Sequence, residues 1–442
     1  MPYTFQCLLN DKPLIVETGK LATLAGASAV IRYGDTEVLA TVCRSQSPRE
    51  GADFLPLTVD YEERHYAVGR IPGSFFRREG RPSQDATLAA RLTDRPLRPL
   101  FPKGFYYDIQ IILTTLSADQ ENAPDILGIC GGSTVLTLSD IPFNGPVAAV
   151  RVGYKDGEWL VNPTYSQMEQ SLFEVVVAGT KEKVMMLEAG AKQASEELIM
   201  EAIRRGHQAL QPIIKLQEEM RQQLGKPKME VKSVASPGLE DAMVSFLNDR
   251  MNEISNGPQI APEAVDKLRR ELIENLVSQF PKAELGLAFD AHFKDWLKQR
   301  TMSTHLRPDG RGFEQLRPIS AEVQVLPRVH GSGLFTRGQT QVLAIATLGS
   351  LEDEQIVDTL SPVEHKRFFH HYNFPAYSTG EARRVGSPGR REIGHGALAE
   401  KGLLPVIPQE EQFPYAIRVV SEVLAANAST SMAAVCATTL SL

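Results

Sequence analysis

Two clusters late in the 442-residue chain combine residue types that could hold an anion. In the first, Gly386-Ser387-Pro388-Gly389-Arg390-Arg391-Glu392-Ile393-Gly394-His395-Gly396, arginines and a histidine follow a glycine-rich turn and open an expected helix. Guanidinium groups take phosphate in a bidentate fashion. His395, one turn further on, could donate to the same anion. In the second, Asn427-Ala428-Ser429-Thr430-Ser431-Met432, three hydroxyls precede a helix of small residues. A helix N-terminus offers free N–H groups and partial positive charge, so it attracts anions. The same hydroxyls would equally serve as plain N-caps.

A third cluster suits a polymer. In Ser74-Phe75-Phe76-Arg77-Arg78-Glu79-Gly80-Arg81, two adjacent aromatics cannot both face a core from one strand. A loop is expected. Aromatic faces stack on bases of any sequence and arginines neutralise phosphates, which fits single-stranded RNA held without sequence preference. The plainer alternative is a strand end with one buried Phe and a solvated basic face. Arg91, Arg95 and Arg98 extend the basic stretch: between Arg64 and Gly104 nine Lys/Arg stand against three acids, in a chain of net charge −7. Positive charge is therefore local, and a surface basic all over is excluded.

Other candidates are weaker. His365, His370 and His371 fit a strand and loop as well as a metal site. Gly128-Ile129-Cys130-Gly131-Gly132-Ser133-Thr134 resembles a phosphate loop but lacks its lysine. Cys7, Cys43, Cys130 and Cys436 form no CxxC pair and read as buried reduced thiols. No apolar stretch approaches a membrane span. The N-terminus alternates like a strand, without the basic start of a signal peptide. No membrane partner and a cytoplasmic location are the default expectations.

The elements that must position these clusters follow from periodicity. Residues 1–145 read as short strands and turns, closed by a helix from about Pro124 to Leu138. A hairpin turning at Lys155-Asp156-Gly157 follows, then two more strands and a helical stretch from Ser195 to Leu224. Residues 237–302 hold three amphipathic helical stretches, a small bundle spacing two other units. Beyond Arg307 the chain repeats itself. Residues 28–42 match 332–346 at an offset of 304; Gly80, Pro82, Leu92, Pro99 and Pro102 recur as Gly386, Pro388, Leu398, Pro405 and Pro408 at 306, and Ser117 recurs as Ser421. This predicts a duplicated α/β domain: 1–225, an all-α domain at 237–302, and a second copy at 307–442. The second copy lacks anything matching 139–220, so the chain is expected to be an N-terminal fragment. The copies also differ in chemistry. Gln84, Asp85 and Ala89 stand where Arg390, Arg391 and His395 do, and Asp125 stands near the place of the hydroxyl run. An anion site in the second copy alone is expected.

Together GRIPGSFFRREGRPS (69–83), RPLRPLFP (95–102), RPDGR (307–311), HGSGLFTRGQTQ (330–341), GSPGRREIGHG (386–396) and VVSEVLAANASTSMA (419–433) resemble the polynucleotide phosphorylase family along the whole chain. The resemblance implies two ribonuclease PH-like domains around a helical domain, a homotrimeric ring, and a place in an RNA-degrading multi-enzyme complex. It implies 3′-to-5′ phosphorolysis of single-stranded RNA, with inorganic phosphate as co-substrate and nucleoside 5′-diphosphates as products, reversible as untemplated polymerisation. Phe75, Phe76, Arg77, Arg78 and Arg81 would grip RNA, with Arg91, Arg95 and Arg98 nearby. Arg390, Arg391 and His395 would be catalytic, and Ser429, Thr430 and Ser431 would bind phosphate. The family's Mg2+ or Mn2+ ligands are expected beyond Leu442, which puts activity of this length of chain in question. The rivals are a non-catalytic RNA-binding ring subunit and a hydrolytic nuclease.

Overall fold

The computed structural model describes residues 2–49, 52, 54–231, 236–248, 250–254, 257 and 259–442. The first copy opens with β1 (Tyr3–Leu9), β2 (Lys12–Thr18), β3 (Ala27–Tyr33), β4 (Thr36–Pro48), β5 (Leu57–Glu62) and β6 (Tyr107–Ser117), in sheet order β1-β2-β3-β4-β6-β5. Along β4 buried and partly exposed residues alternate, as a sheet with one covered face requires. β5 and β6 are parallel, so a crossover must join them. It contains α1 (Gln84–Leu97). This helix is a departure from the strands and turns expected there. Its buried Ala86, Ala89, Ala90, Leu92 and Leu97 are interleaved with Arg91, Arg95 and Pro96, which hides the apolar stripe. α2 (Pro124–Leu138) coincides with the expected helix. Its Gly128, Gly131 and Gly132 are buried, so this segment is a packing surface and not a phosphate loop.

A second sheet, β10-β9-β7-β8, is built from β7 (Ala148–Lys155), β8 (Glu158–Val161), β9 (Phe173–Gly179) and β10 (Val184–Ala191). The short α3 (Tyr165–Glu169) lies between β8 and β9. The helical stretch from Ser195 is broken in two, α4 (Glu196–Ala209) and α5 (Gln211–Leu224), because Pro212 falls in the first turn of the second helix. One core joins both sheets and these helices.

The middle unit has its own core of Leu239, Met243, Leu247, Leu268, Leu272, Leu276, Leu285 and Phe289. It comprises α6 (Leu239–Leu247), α7 (Arg250–Glu253), α8 (Pro262–Leu276) and α9 (Lys282–Thr304).

The second copy consists of β11 (Ile319–Val323), β12 (Gly331–Arg337), β13 (Thr340–Gly349), β14 (Gln355–Ile356), β15 (His365–Lys366), β16 (Phe368–Asn373), α10 (Arg390–Leu403), β17 (Ala416–Ala425) and α11 (Thr430–Ser441). Its sheet order, β11-β12-β13-β17-β16, with β16 parallel to β17, repeats β2-β3-β4-β6-β5. The duplicated α/β fold is therefore present. The register corrects one detail of the alignment. Ala40 faces Leu113 and Ala344 faces Ser421, so Ser421 holds the place of Leu113; Ser117 corresponds to Ala425, since they face Glu37 and Gln341.

The copies also differ between edge strand and helix. Thirteen residues separate the left-handed Gly69 from Ser83, the N-cap of α1, but only eight separate Gly380 from Gly389, the N-cap of α10. Phe75 to Arg78 lie in the longer loop. The copies meet by packing α1 against α10. No described helix is long and apolar enough to cross a membrane.

Candidate functional site

A cleft of about 910 Å3 lies where the end of β16, the loop after it and the start of α10 converge. Arg391 and His395 line it, together with Tyr372, Phe374 and Arg383. Glu392 also lines it, yet its carboxylate accepts the backbone N–H groups of Gly389 at 2.7 Å and Phe374 at 3.1 Å. That negative charge is spent on the helix start. Arg391 has no carboxylate partner among the described residues, and its guanidinium lies 5.9 Å from the Phe374 ring centre.

His395 is half-buried one turn along. Burial lowers its pKa, and the neighbouring Arg391 and Arg91 lower it further. A neutral imidazole is the form favoured at pH 7. Its Nδ1 has no hydrogen-bond partner among the described residues, and Tyr372 stands edge-on to the ring with centroids 5.0 Å apart. The Tyr372 hydroxyl donates to Thr430 Oγ1 at 2.7 Å. Tyr372 thereby joins α10 to the N-terminus of α11. Ser429 is left-handed (φ 48°) and its side chain does not cap α11. Ser429 is exposed and Ser431 partly exposed, and neither hydroxyl has a bond among the described residues. The plain N-cap alternative does not describe these hydroxyls.

Arg91 enters from the other copy. On α1 it is half-buried against Gly394, where an added Cβ would stand 2.4 Å from its Nε. It has no acidic partner within ion-pair distance among the described residues. Burial lowers its pKa, and Arg95 and Arg391 add to that effect. Arg91, Arg391 and His395 thus form a group poor in counter-charge beside a helix N-terminus, the arrangement expected of a site completed by an anion.

The other candidates are dispersed. Arg390 points away and ties the copies together, pairing with Asp60 at 2.5 Å and donating to the Val59 carbonyl. Arg98 pairs with Asp94 at 2.6 Å and donates to the carbonyls of Leu55 and Leu57, so it staples the first copy. Arg95 lies 3.5 Å from Glu188, and Arg81 donates to Ser387 Oγ at 2.6 Å. Phe75 and Phe76 are 93% and 85% exposed and meet edge-to-face, which leaves no buried Phe in this loop. Arg77 adopts a left-handed backbone (φ 50°), and Arg78 has no side-chain partner among the described residues. His370 bonds Ser421 and Thr438 in the core, while His371 meets Arg418. Among the described residues no three His, Cys, Asp or Glu are grouped to hold a metal ion.

Sequence reasoning missed Tyr372. The available signal was the duplication itself, since Tyr61 and Tyr372 face Leu113 and Ser421 at equivalent points of the two sheets. In the first copy the equivalent region is acidic and filled. Arg151 is largely buried there between Asp125 at 2.7 Å and Glu174 at 3.4 Å. Tyr165 is partly buried beside them, and burial raises its pKa.

The duplicated architecture matches what comparison with known proteins finds. The model of the 3′ exoribonuclease family, domain 1, matches residues 10–142 and 315–442, and that of domain 2 matches 145–209. The chain belongs to the 3′ exoribonuclease family. The family's domain 1 is present twice, as the duplication predicts. Proteins named polyribonucleotide nucleotidyltransferase are similar over almost the whole chain. That of Heliobacterium modesticaldum is 53% identical over 99% of this chain and 62% of its own length. Those of Dehalococcoides mccartyi and Herpetosiphon aurantiacus are 51% and 50% identical, over 61% and 57% of their own lengths. The chain therefore spans about three fifths of the length of these relatives. A solved structure of rice (Oryza sativa) Rrp46 aligns with a TM-score of 0.40 at 18% identity, over 48% of this chain and 95% of that one.

Proposed function

We propose that the chain carries the phosphate-dependent part of a 3′-to-5′ exoribonuclease. It shortens single-stranded RNA by phosphorolysis and releases nucleoside 5′-diphosphates. The carrying observation is the convergence of Arg391, His395 and Arg91, joined through Tyr372 to Thr430 at the start of α11, without a free carboxylate among them in the described residues. Two anions must approach each other in this reaction, and cations and N–H donors lower that cost. An oxygen of inorganic phosphate attacks the terminal phosphorus. The bond from that phosphorus to the 3′-oxygen of the preceding nucleotide breaks, and that oxygen leaves as a hydroxyl after gaining a proton. One phosphate bond replaces another of comparable energy, so excess diphosphate drives the reverse, untemplated polymerisation.

A divalent ion such as Mg2+ or Mn2+, which the family resemblance implies, would neutralise charge on the leaving oxygen. The described residues offer no carboxylate set that fits it, so every step above runs on the chain's own cations and donors. The exposed Phe75–Arg78 tip supplies stacking faces and positive charge for the incoming strand. A ring of three copies, a place in an RNA-degrading assembly and a cytoplasmic setting belong to the same proposal. The test is release of nucleoside diphosphate from single-stranded RNA with and without phosphate. Phosphate-dependent release is expected. Release of nucleoside monophosphate in water alone would replace phosphorolysis by hydrolysis, and RNA binding without release would favour a non-catalytic ring subunit.

A further inference from the structure

Between β14 and β15 the second copy inserts Asp358, Thr359 and Leu360 into the first copy, directly beneath the aromatic loop. Thr359 and Leu360 are 5% and 3% exposed. The Thr359 hydroxyl donates to Asp85 Oδ2 at 3.1 Å, and its carbonyl accepts from the Arg70 guanidinium. Arg70 begins the aromatic loop. Further along, Gly73 passes so close that an added Cβ would lie 3.2 Å from Asp358 Oδ2. At the far end Arg81 donates to Ser387 of the second copy. Both flanks of the loop are therefore fastened to the copy that holds Arg391 and His395, while the tip stays free.

One residue bridges the two parts. His65 is 8% exposed, and its Nε2 lies 3.1 Å from Asp358 Oδ1. Its backbone N–H donates to Glu79 Oε1 at 3.0 Å, and Glu79 belongs to the loop. The imidazole Nδ1 faces the same Glu79 oxygen at 3.7 Å, with no hydrogen bond among the described residues, so the ring stands between a carboxylate of the loop and one of the second copy. Hydrogen bonds to charged groups are among the stronger ones, and loss of Asp358 leaves the buried imidazole Nε2 without its partner.

We propose that His65 and Asp358 are positioning residues that hold the Phe75–Arg78 tip in fixed register with the anion cleft, coupling the grip on RNA to attack at its 3′ end. The coupling rests on the phosphorolytic reading; the latch itself does not. The two parts are tested separately in the full chain. Hydrogen exchange of the backbone amides between residues 70 and 81 is measured without RNA in four proteins: the parent, His65→Phe, Asp358→Ala and the double variant. Each single change speeds exchange about tenfold, the factor expected from one lost charge-assisted bond, and the double change adds little to either. Unchanged exchange, or effects of the two changes that simply multiply, overturns the latch. Asp358 is half-exposed, so the Asp358→Ala arm stands even where His65→Phe does not fold. With phosphate and RNA, both variants raise KM for a long strand while kcat on a short oligomer stays as in the parent. Looser loops with an unchanged KM for the long strand overturn the coupling. A parent protein with no phosphate-dependent release removes the phosphorolytic reading and the coupling with it, while the exchange data still decide the latch.

Discussion

Arg390 and Arg391 are chemically identical neighbours with opposite employment. Adjacent positions on a helix point about 100° apart, so a single cleft cannot take both. The sequence shows two arginines opening a helix, but which one lines the cleft depends on the position of β5, a tertiary fact. Arg391→Gln is expected to raise the phosphate concentration for half-maximal release about tenfold to a hundredfold, the range for one charge-assisted contact. Arg390→Gln should leave that concentration near its parent value and lower stability instead. Steady-state kinetics beside urea unfolding separate the two, and identical profiles would refute the division. His370 gives a residue-scale prediction in pH. Burial pushes it down to about 4. Between there and the ordinary value of about 6.5 the unfolded chain binds a proton that the folded chain refuses. Stability therefore falls as pH drops through that window and is unaffected above pH 7. A shift of this size corresponds to about 3 kcal/mol once the window is crossed. His370→Gln should lose about 2 kcal/mol less than the parent between pH 7 and pH 5, measured by urea unfolding.

At the scale of elements, alternation and turn chemistry made most strands legible. Asp156 and Gly157 adopt positive φ, as a tight hairpin requires, where the sequence places the turn. α10 was legible because a glycine-rich turn announces it. α1 was not, because its arginines and Pro96 interrupt the apolar period and nothing local shows that β5 and β6 are parallel. Its start is nevertheless well specified. Ser83 accepts the Ala86 N–H at 2.9 Å and donates to Glu63 at 2.5 Å. Burial raises the Glu63 pKa, so this carboxylate depends on its hydrogen bonds. Ser83→Ala should cost about 1 to 2 kcal/mol, combining a lost cap with an under-bonded acid. A change in unfolding free energy below 0.5 kcal/mol, roughly the scatter of ordinary surface substitutions, would remove Ser83 as the determinant.

For the whole molecule, the duplication was readable from glycines, prolines and apolar runs, and so was the chemical asymmetry of the copies. The meeting of the two was not. No pattern within one copy shows that Arg91 joins Arg391 and His395 across the seam, because contact between distant segments leaves no periodic trace. The site therefore belongs to the pair of copies. Arg91 and Arg391 are like charges with no carboxylate at ion-pair distance among the described residues, so removing Arg91 relieves repulsion while it weakens anion binding. Arg91→Gln should raise the phosphate requirement about tenfold and leave the unfolding midpoint unchanged or slightly higher. A fall in both would assign Arg91 to packing alone.

The bare backbone at position 394 has a consequence for how the two halves can vary through descent. A methyl group there would meet the mobile end of Arg91 and not a fixed backbone atom. The guanidinium would swing aside and the fold would survive. On the proposed function, selection at 394 would be felt as weaker phosphate capture at a residue more than three hundred positions away in the chain. After duplication the halves ceased to be interchangeable parts. A hybrid joining one half to that of a distant relative inherits a working pocket only if both sides of this seam come from the same lineage.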